Sequence, residues 1–225
     1  MENDIVLDLD LIGYQCLIGS TPQDKELFLF IFKKGLKLKI KEMFPRAGLF
    51  GFVFQDFSIQ IIAFHLPDKY SSLSDSALRS RHRAILKRAL TGIDQKRDLV
   101  IFMGDFNDNP AAETVSVPDG LWGVMDLEFV LKKQEGRLID YDVYYPVYNP
   151  TWALWGSRDS KVKGSYYLEE RQYVWHALDH VMFSASLMRV FSLMQFYYID
   201  SLDGYVSDFF QKSDHLPVFF SLQKT

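Results

Sequence analysis

Strand-forming runs outnumber helical ones along this chain, and they predict a mixed α/β domain in which β-sheets pack face to face beneath helices. Hydrophobic residues make up 48% of the 225 positions and aromatics 16%, enough to build a sizeable core and to argue against disorder. Much of this apolar content falls in short runs of strand length, such as Leu27-Phe28-Leu29-Phe30-Ile31-Phe32. One stretch, 71–90, instead repeats its apolar residues at helical spacing. So many apolar strands bury best as sheet on sheet, with helices outside.

The Leu27–Phe32 run ends at Lys33-Lys34-Gly35. Its unbroken apolar character suggests a strand buried on both faces. Leu36-Lys37-Leu38-Lys39-Ile40 alternates apolar with basic, as a half-exposed strand does after a tight turn. Phe50 to Gln55 and Ser58 to Phe64 read as an antiparallel pair joined near Asp56-Phe57. Between Ser71 and Leu90, the positions Leu73, Ala77, Leu78, Ala84, Ile85 and Leu90 predict a helix. The basic residues Arg79, Arg81, Arg83, Lys87 and Arg88 crowd it, and a solvated face is the simpler account of them. Asp98 to Met103 is again strand-like and stops at Gly104. Asp126 to Gln134 reads as a short helix, and 135–176 as loop-rich and aromatic. Ala177 to Phe183, Phe191 to Tyr197 and Leu216 to Leu222 complete the strands.

The net charge of −4 gives no electrostatic bias toward polyanions, so charge-driven, indiscriminate nucleic-acid binding is not expected; a local basic groove is compatible with it. The lone cysteine, Cys16, has no intrachain partner for a disulfide, and a reducing compartment is the simpler reading. No run approaches the roughly 18 apolar residues of a membrane span, and Met1-Glu2-Asn3-Asp4 lacks the basic start of a leader. A cytoplasmic protein is therefore expected.

Four polar positions break into or end the apolar strands. In Gly104-Asp105-Phe106-Asn107, a buried strand stops at a glycine, which allows a sharp turn at the sheet edge. Asp105 offers hard oxygen ligands suited to Mg²⁺, and Asn107 can bind a phosphate oxygen or orient a water. Asp and Asn are also ordinary turn formers, so this string alone leaves both readings open. In Ser213-Asp214-His215-Leu216-Pro217-Val218, adjacent side chains diverge from an extended backbone. One can reach a metal while the other handles a proton. His65 ends the strand in Ala63-Phe64-His65-Leu66-Pro67. Asp179 lies inside Ala177-Leu178-Asp179-His180-Val181-Met182-Phe183, where a carboxylate is expensive unless paired.

Taken together, the order His, Asp-x-Asn, Asp, Asp-His resembles the endonuclease/exonuclease/phosphatase superfamily, over roughly residues 25–222. That superfamily includes pancreatic-type deoxyribonucleases, abasic-site endonucleases, sphingomyelinases and inositol-polyphosphate phosphatases. The Gly-Asp-Phe-Asn and Ser-Asp-His-Leu-Pro-Val strings are its most specific marks. The resemblance implies a four-layer sandwich, α/β (α+β), of two mixed, largely antiparallel sheets flanked by helices. It also implies a hydrolase dependent on Mg²⁺ (or Mn²⁺/Ca²⁺). In it His215 activates or orients the attacking water, Asp179 is its carboxylate partner, and Asp105 and Asn107 hold the phosphate–metal region. Asp214 is a metal ligand and His65 contacts the scissile phosphate. Glu26, in Lys25-Glu26-Leu27-Phe28, matches the glutamate that pairs with this histidine in the deoxyribonuclease branch, although a solvated glutamate ahead of a strand reads equally well. His180 stands where many relatives carry arginine or tyrosine, and is expected to reach toward phosphate.

The resemblance further implies an opening strand with an asparagine, a helix, and a strand ending in Gln-Glu whose glutamate is the principal metal ligand. No Gln-Glu pair precedes Leu27. The expectation is one domain over 1–225, incomplete at its N-terminus, with a missing segment or a partner chain completing the site. For substrate, the stretch from Tyr141 to Trp175 interleaves Trp152, Trp155 and Tyr166-Tyr167 with Arg158, Lys161, Lys163 and Arg171. Aromatics among cations suit stacked bases and phosphates; packing of the loop onto the sandwich is the competing account. The primary expectation is a nucleic-acid phosphodiesterase. The alternatives are a phosphatase or phosphodiesterase on a small molecule or lipid headgroup, and a catalytically impaired binding protein that keeps the fold.

Overall fold

The computed structural model describes residues 13–20, 27–68, 74–155, 163–167, 175–199 and 215–225. Its strands are β1 (Tyr14–Ser20), β2 (Leu27–Lys33), β3 (Lys39–Phe44), β4 (Ala47–Phe54), β5 (Phe57–His65), β6 (Leu99–Asp105), β7 (Gly123–Val124), β8 (Arg137–Ile139), β9 (Asp142–Tyr144), β10 (Val147–Tyr148), β11 (Tyr166–Tyr167), β12 (Trp175–His176), β13 (Asp179–Ser184), β14 (Phe191–Tyr198) and β15 (Val218–Lys224). The longer helices are α1 (Asp75–Ala89), α2 (Leu127–Lys132) and α3 (Ala185–Val190). Single helical turns occur at Glu113–Ser116 and Thr151–Leu154.

Seven strands form one mixed sheet in the order β3-β4-β5-β6-β13-β10-β7. It is antiparallel except at β5–β6 and β7–β10. The parallel step between β5 and β6 needs a crossover, and α1 supplies it. Alternation along the strands divides the apolar residues between two faces. Ile62, Phe64, Val100, Phe102 and Met182 pack under α1 through Leu86 and Ala89. Ile59, Ile101, Val181 and Phe183 face the other way, against α3 and the β14–β15 ribbon, where Phe196, Val218, Phe220 and Leu222 meet them. The fold is thus mixed α/β, with sheet packed on sheet and a helix over the outer face.

Among the described residues the second sheet layer consists of two antiparallel ribbons, β1–β2 and β14–β15. Both lie on the same face of the large sheet. Phe28 and Phe30 of β2 contact Phe50 of β4, and Phe220 of β15 contacts Phe183 of β13. Phe50, Ile61, Ile101 and Phe183 form one continuous row of strand partners. This arrangement corrects the expectation that Leu27–Phe32 is buried on both faces. Leu29 and Ile31 are about half exposed, because a ribbon has only one face to set down. The next strand also begins later than its alternation suggests. Gly35, at φ +98°, carries the turn, and pairing starts at Lys39 with a bulge between Ile40 and Glu42.

The basic helix is amphipathic by position. Ser74 Oγ accepts from the Ala77 amide and caps it. Leu78, His82, Leu86 and Ala89 stand at successive three- and four-residue steps and are buried. The solvated face is laced with ion pairs: Arg79 and Arg83 to Glu113, Arg83 to Asp119, and Lys87 to Asp142. No described helix is long and apolar enough to cross a membrane.

Candidate active site

The sheet register brings the sequence-predicted residues together. His65 ends β5, Asp105 ends β6 and Asp179 begins β13. His65 pairs with Asp105, and Asp105 with Asp179. Directly paired residues share a face, so the three side chains stand in one row across three neighbouring strands. That face is the one the ribbons cover. His215, just ahead of β15, completes the row, with its Nδ1 2.7 Å from Asp179 Oδ2. His65 Nε2 lies 4.0 Å from Asp105 Oδ2. A cleft of about 330 Å³ opens beside them, lined by Met103, Gly104, Asp179, His215 and Pro217 among others. A larger groove, about 490 Å³, lies between α1 and the β8–β9 hairpin and holds none of these residues.

Gly104 makes the row possible. Its φ is +130°, a conformation essentially reserved for glycine. A Cβ there would sit 2.1 Å from the carbonyl oxygen of Phe64 on the neighbouring strand. Beyond it the chain turns back on itself. The Asn107 amide donates to Asp105 Oδ1 at 2.8 Å, and Asn107 Nδ2 donates to Leu66 O at 2.8 Å and to Asp105 Oδ2 at 3.1 Å. Asn107 adopts φ +50°, which asparagine tolerates better than most residues. Its side chain therefore ties the His65 and Asp105 loops together.

Asp179 is held by residues that sequence reasoning missed. Ser165 Oγ, fully buried, accepts from the amides of Leu178 and Asp179 at 3.0 Å each, while Ser165 O accepts from the Leu216 amide at 2.7 Å. One serine thus positions both members of the Asp179–His215 pair. The Tyr166 ring lies 5.0 Å from that of His215 and the two residues share a β-bridge. Burial pushes the Tyr198 phenol far up, so it stays neutral beside the Asp179 carbonyl. Arg46 was also missed. It donates to His65 O through Nη1, and the His65 amide donates back to Arg46 O, adding a cation at the far end of the row. Only the register identifies it, since Phe44-Pro45-Arg46-Ala47 reads in sequence as a simple turn.

His180 does not reach toward phosphate. Adjacent strand residues point to opposite faces, so where Asp179 faces the cleft, His180 faces the core. Its ring is fully buried, with Nε2 2.8 Å from Asp108 O and Nδ1 3.2 Å from Asn149 Nδ2. The carbonyl only accepts, so Nε2 carries the proton and Nδ1 accepts from the amide. Burial lowers the His180 pKa and keeps the ring neutral. Trp152 and Trp155 meet edge to face; Trp152 donates to Gly123 O, and Trp155 packs beside Ala177, Tyr198 and Leu216. Glu26, Arg158 and Asp214 lie outside the described residues.

The electrostatics of the row favour a cation. Burial, then the neighbouring Asp179 charge, push the Asp105 carboxyl up to about 6; the Asn107 amide, His215 and His65 offset only part of this. Ligand atoms of Asp105, Asp179 and His215 lie within 4.8 Å of one another. The two carboxylates are the oxygen donors in this group with which a hard divalent ion could be held, while the imidazole is engaged with Asp179. One consequence concerns stability. The folded pKa of Asp105 lies above its unfolded value of 3.8. The folded state is therefore least penalised below pH 3.8, and it loses stability as pH rises through about 6. Two pH units correspond to roughly 3 kcal/mol. Asp105→Asn removes that penalty but loses a hydrogen bond from Asn107, about 1 kcal/mol. In chelator the variant should melt several degrees above the parent at pH 8, and at or below it at pH 4. An unchanged difference between the two pH values would show that Asp105 is not strained by charge.

No family model matches the chain, and no curated protein matches it. Solved structures do. An endonuclease/exonuclease/phosphatase family protein from Bacteroides thetaiotaomicron is 14% identical, matched over 96% of this chain and 78% of its own, with a TM-score of 0.54. The chain has the endonuclease/exonuclease/phosphatase fold. ANGEL2, a 2′,3′-cyclic phosphatase solved with adenosine-2′,3′-vanadate, shares this fold with 15% identity over 98% of this chain and 78% of its own, TM-score 0.53. D. rerio TDP2, solved with a single-strand DNA product, does so with 14% identity over 99% and 82%, TM-score 0.52. Within this fold, His65, Asp105 and Asp179 stand at the ends of three central strands, and His215, just ahead of β15, meets Asp179 from the covering layer.

Proposed function

We propose that the chain is a divalent-metal-dependent phosphoesterase that hydrolyses a phosphodiester in nucleic acid. The observation that carries this reading is the 2.7 Å contact between His215 and Asp179 beside a second acid, Asp105, directly opposite on the next strand. Asp179 accepts the Nδ1 proton of His215, which makes Nε2 the basic nitrogen. His215 then takes a proton from a water as its oxygen attacks phosphorus, and the ester oxygen leaves on the opposite side. Asp179 orients the ring and stabilises its positive charge. Asp105, with Asp214, would hold a Mg²⁺-type ion, which supplies charge stabilisation at the phosphate oxygens. His65 and Asn107 position the phosphate. The nucleic-acid assignment draws support from the ligands named for ANGEL2 and TDP2.

The direct test is hydrolysis with Mg²⁺ of plasmid DNA, single-stranded DNA and RNA, adenosine 2′,3′-cyclic phosphate and phosphorylated inositols, with an Asp105→Ala control. Cleavage of inositol phosphates alone would move the assignment to small-molecule phosphatases. Absence of cleavage together with absence of Mg²⁺ binding by calorimetry would leave the fold without the chemistry. A further expectation concerns Arg46. A charge-assisted contact to phosphate contributes about 1.5–3 kcal/mol, so Arg46→Ala should raise KM roughly tenfold. The effect should shrink at high salt. A KM unchanged at low salt would remove Arg46 from the substrate-binding surface.

A further inference from the structure

The turn that carries Asp105 and Asn107 is gripped from both sides by buried histidines that the proposed chemistry does not use. Asp108 follows Asn107 and is almost fully buried, its carboxylate included. A carboxylate in that position is costly unless partnered. From the α1 side, the fully buried His82 places Nδ1 3.6 Å from Asp108 Oδ2 and 3.2 Å from Thr114 Oγ1. Its Nε2 lies 2.8 Å from Pro67 O and donates to it. From the β13 side, His180 donates to the Asp108 carbonyl and receives from Asn149, whose Oδ1 accepts from the Thr151 amide. Phe106 fills the space between, 5.2 Å from both the Phe64 and the His180 rings.

Two consecutive carbonyls, Leu66 and Pro67, follow His65. The first accepts from Asn107 and the second from His82. His82 therefore joins the loop after His65 to the loop after Asp105, and it does so one layer beneath the cleft. A helix-borne imidazole with ring nitrogens directed at two different loops is a spacer of fixed length.

We propose that His82 and His180 are positioning residues that clamp the 105–109 turn, with His82 fixing the separation of the His65 and Asp105 loops. The consequence for catalysis rests on the phosphoesterase reading above; the consequence for geometry does not. Misplacing a catalytic group by about 1 Å can slow a reaction roughly 100-fold while leaving binding largely intact.

The test compares His82→Leu with His82→Gln in the full chain, after thermal melts show that each variant folds. The first readout is the Asn107 side-chain amide in NMR spectra. In the parent its two protons are expected to be widely separated and slow to exchange, because Nδ2 donates to Leu66 O and Asp105 Oδ2. His82→Leu should collapse that signature, and His82→Gln, which keeps a donor within reach of Pro67 O, should restore it in part. The second readout is kcat and KM on bis(4-nitrophenyl) phosphate with Mg²⁺. His82→Leu should lower kcat roughly 100-fold with KM within about threefold, and His82→Gln should recover about tenfold of the loss. A folded His82→Leu protein with an unaltered Asn107 amide, or with parental kcat where the parent is active, overturns the clamp. A parent that hydrolyses nothing overturns the phosphoesterase reading instead, and the Asn107 signature still decides for or against the clamp.

Discussion

His215→Ala is expected to lower kcat on a phosphodiester by about three powers of ten, with the fold intact. A positioned general base contributes roughly 10²–10⁴-fold, and His215 is oriented for this by a 2.7 Å contact to Asp179. Asp179→Asn should lose nearly as much. The amide cannot stabilise the imidazolium, and it can present a donor where Nδ1–H needs an acceptor. Because the two residues act as one unit, their losses should not add. The double variant should be about as slow as the slower single one. Steady-state kinetics on a common substrate, with melts as a folding check, measure all three. Losses that multiply would mean that Asp179 and His215 act separately, and a His215→Ala kcat within threefold of the parent would remove the base from the mechanism.

Gly104→Ala should be the most destabilising single methyl in the described chain. The backbone strain at φ +130° contributes on the order of 1–3 kcal/mol. The new Cβ would also sit 2.1 Å from the Phe64 carbonyl, which belongs to a paired central strand and moves only if β5 and β6 separate. A total of roughly 3–5 kcal/mol is a large share of the 5–15 kcal/mol that holds most domains folded. For a domain of this size it corresponds to a fall in Tm of about 10 °C. Gly92→Ala is the matched control. Its φ is +80° with nothing within 4 Å of a Cβ, so it bears strain without collision and should cost about 1 kcal/mol. Equal melting of the two variants would mean that the Phe64 contact relaxes freely.

The legible part of the sequence was the part governed by local pattern. The β4–β5 hairpin, the strand into Gly104, the Asp126-capped helix and the last strand follow from apolar runs broken by turn residues. His65, Asp105, Asp179 and His215, which the structure brings together, stand out in the sequence because each interrupts or ends such a run. Side-chain direction was harder. His180 follows Asp179 in a motif and looked like part of the site, but an odd–even difference on one strand sends it to the core. The Leu27–Phe32 run looked doubly buried because its composition cannot report that its layer is a ribbon. Arg46, Ser165 and His82 carry no signal in sequence at all. They matter through partners 19, 14 and 26 positions away, at His65, Asp179 and Asp108 respectively, and only the assembled sheet brings those partners near.

The row of polar residues at the strand ends also makes the site an internal gauge of correct strand pairing. His65, Asp105 and Asp179 face the cleft because β5, β6 and β13 meet in one alignment. A shift of any of the three by a single residue would turn its whole side-chain set through the sheet. It would put Phe64, Gly104 or His180 where the polar group belongs and drive the charged group into the core beneath α1. A mispaired sheet could remain compact and rich in β-structure by circular dichroism while presenting no Asp179–His215 dyad. On the proposed phosphoesterase reading, hydrolysis of a phosphodiester would therefore report more sharply than any spectroscopic measure of folded content whether a refolded or redesigned sample has its central strands in step.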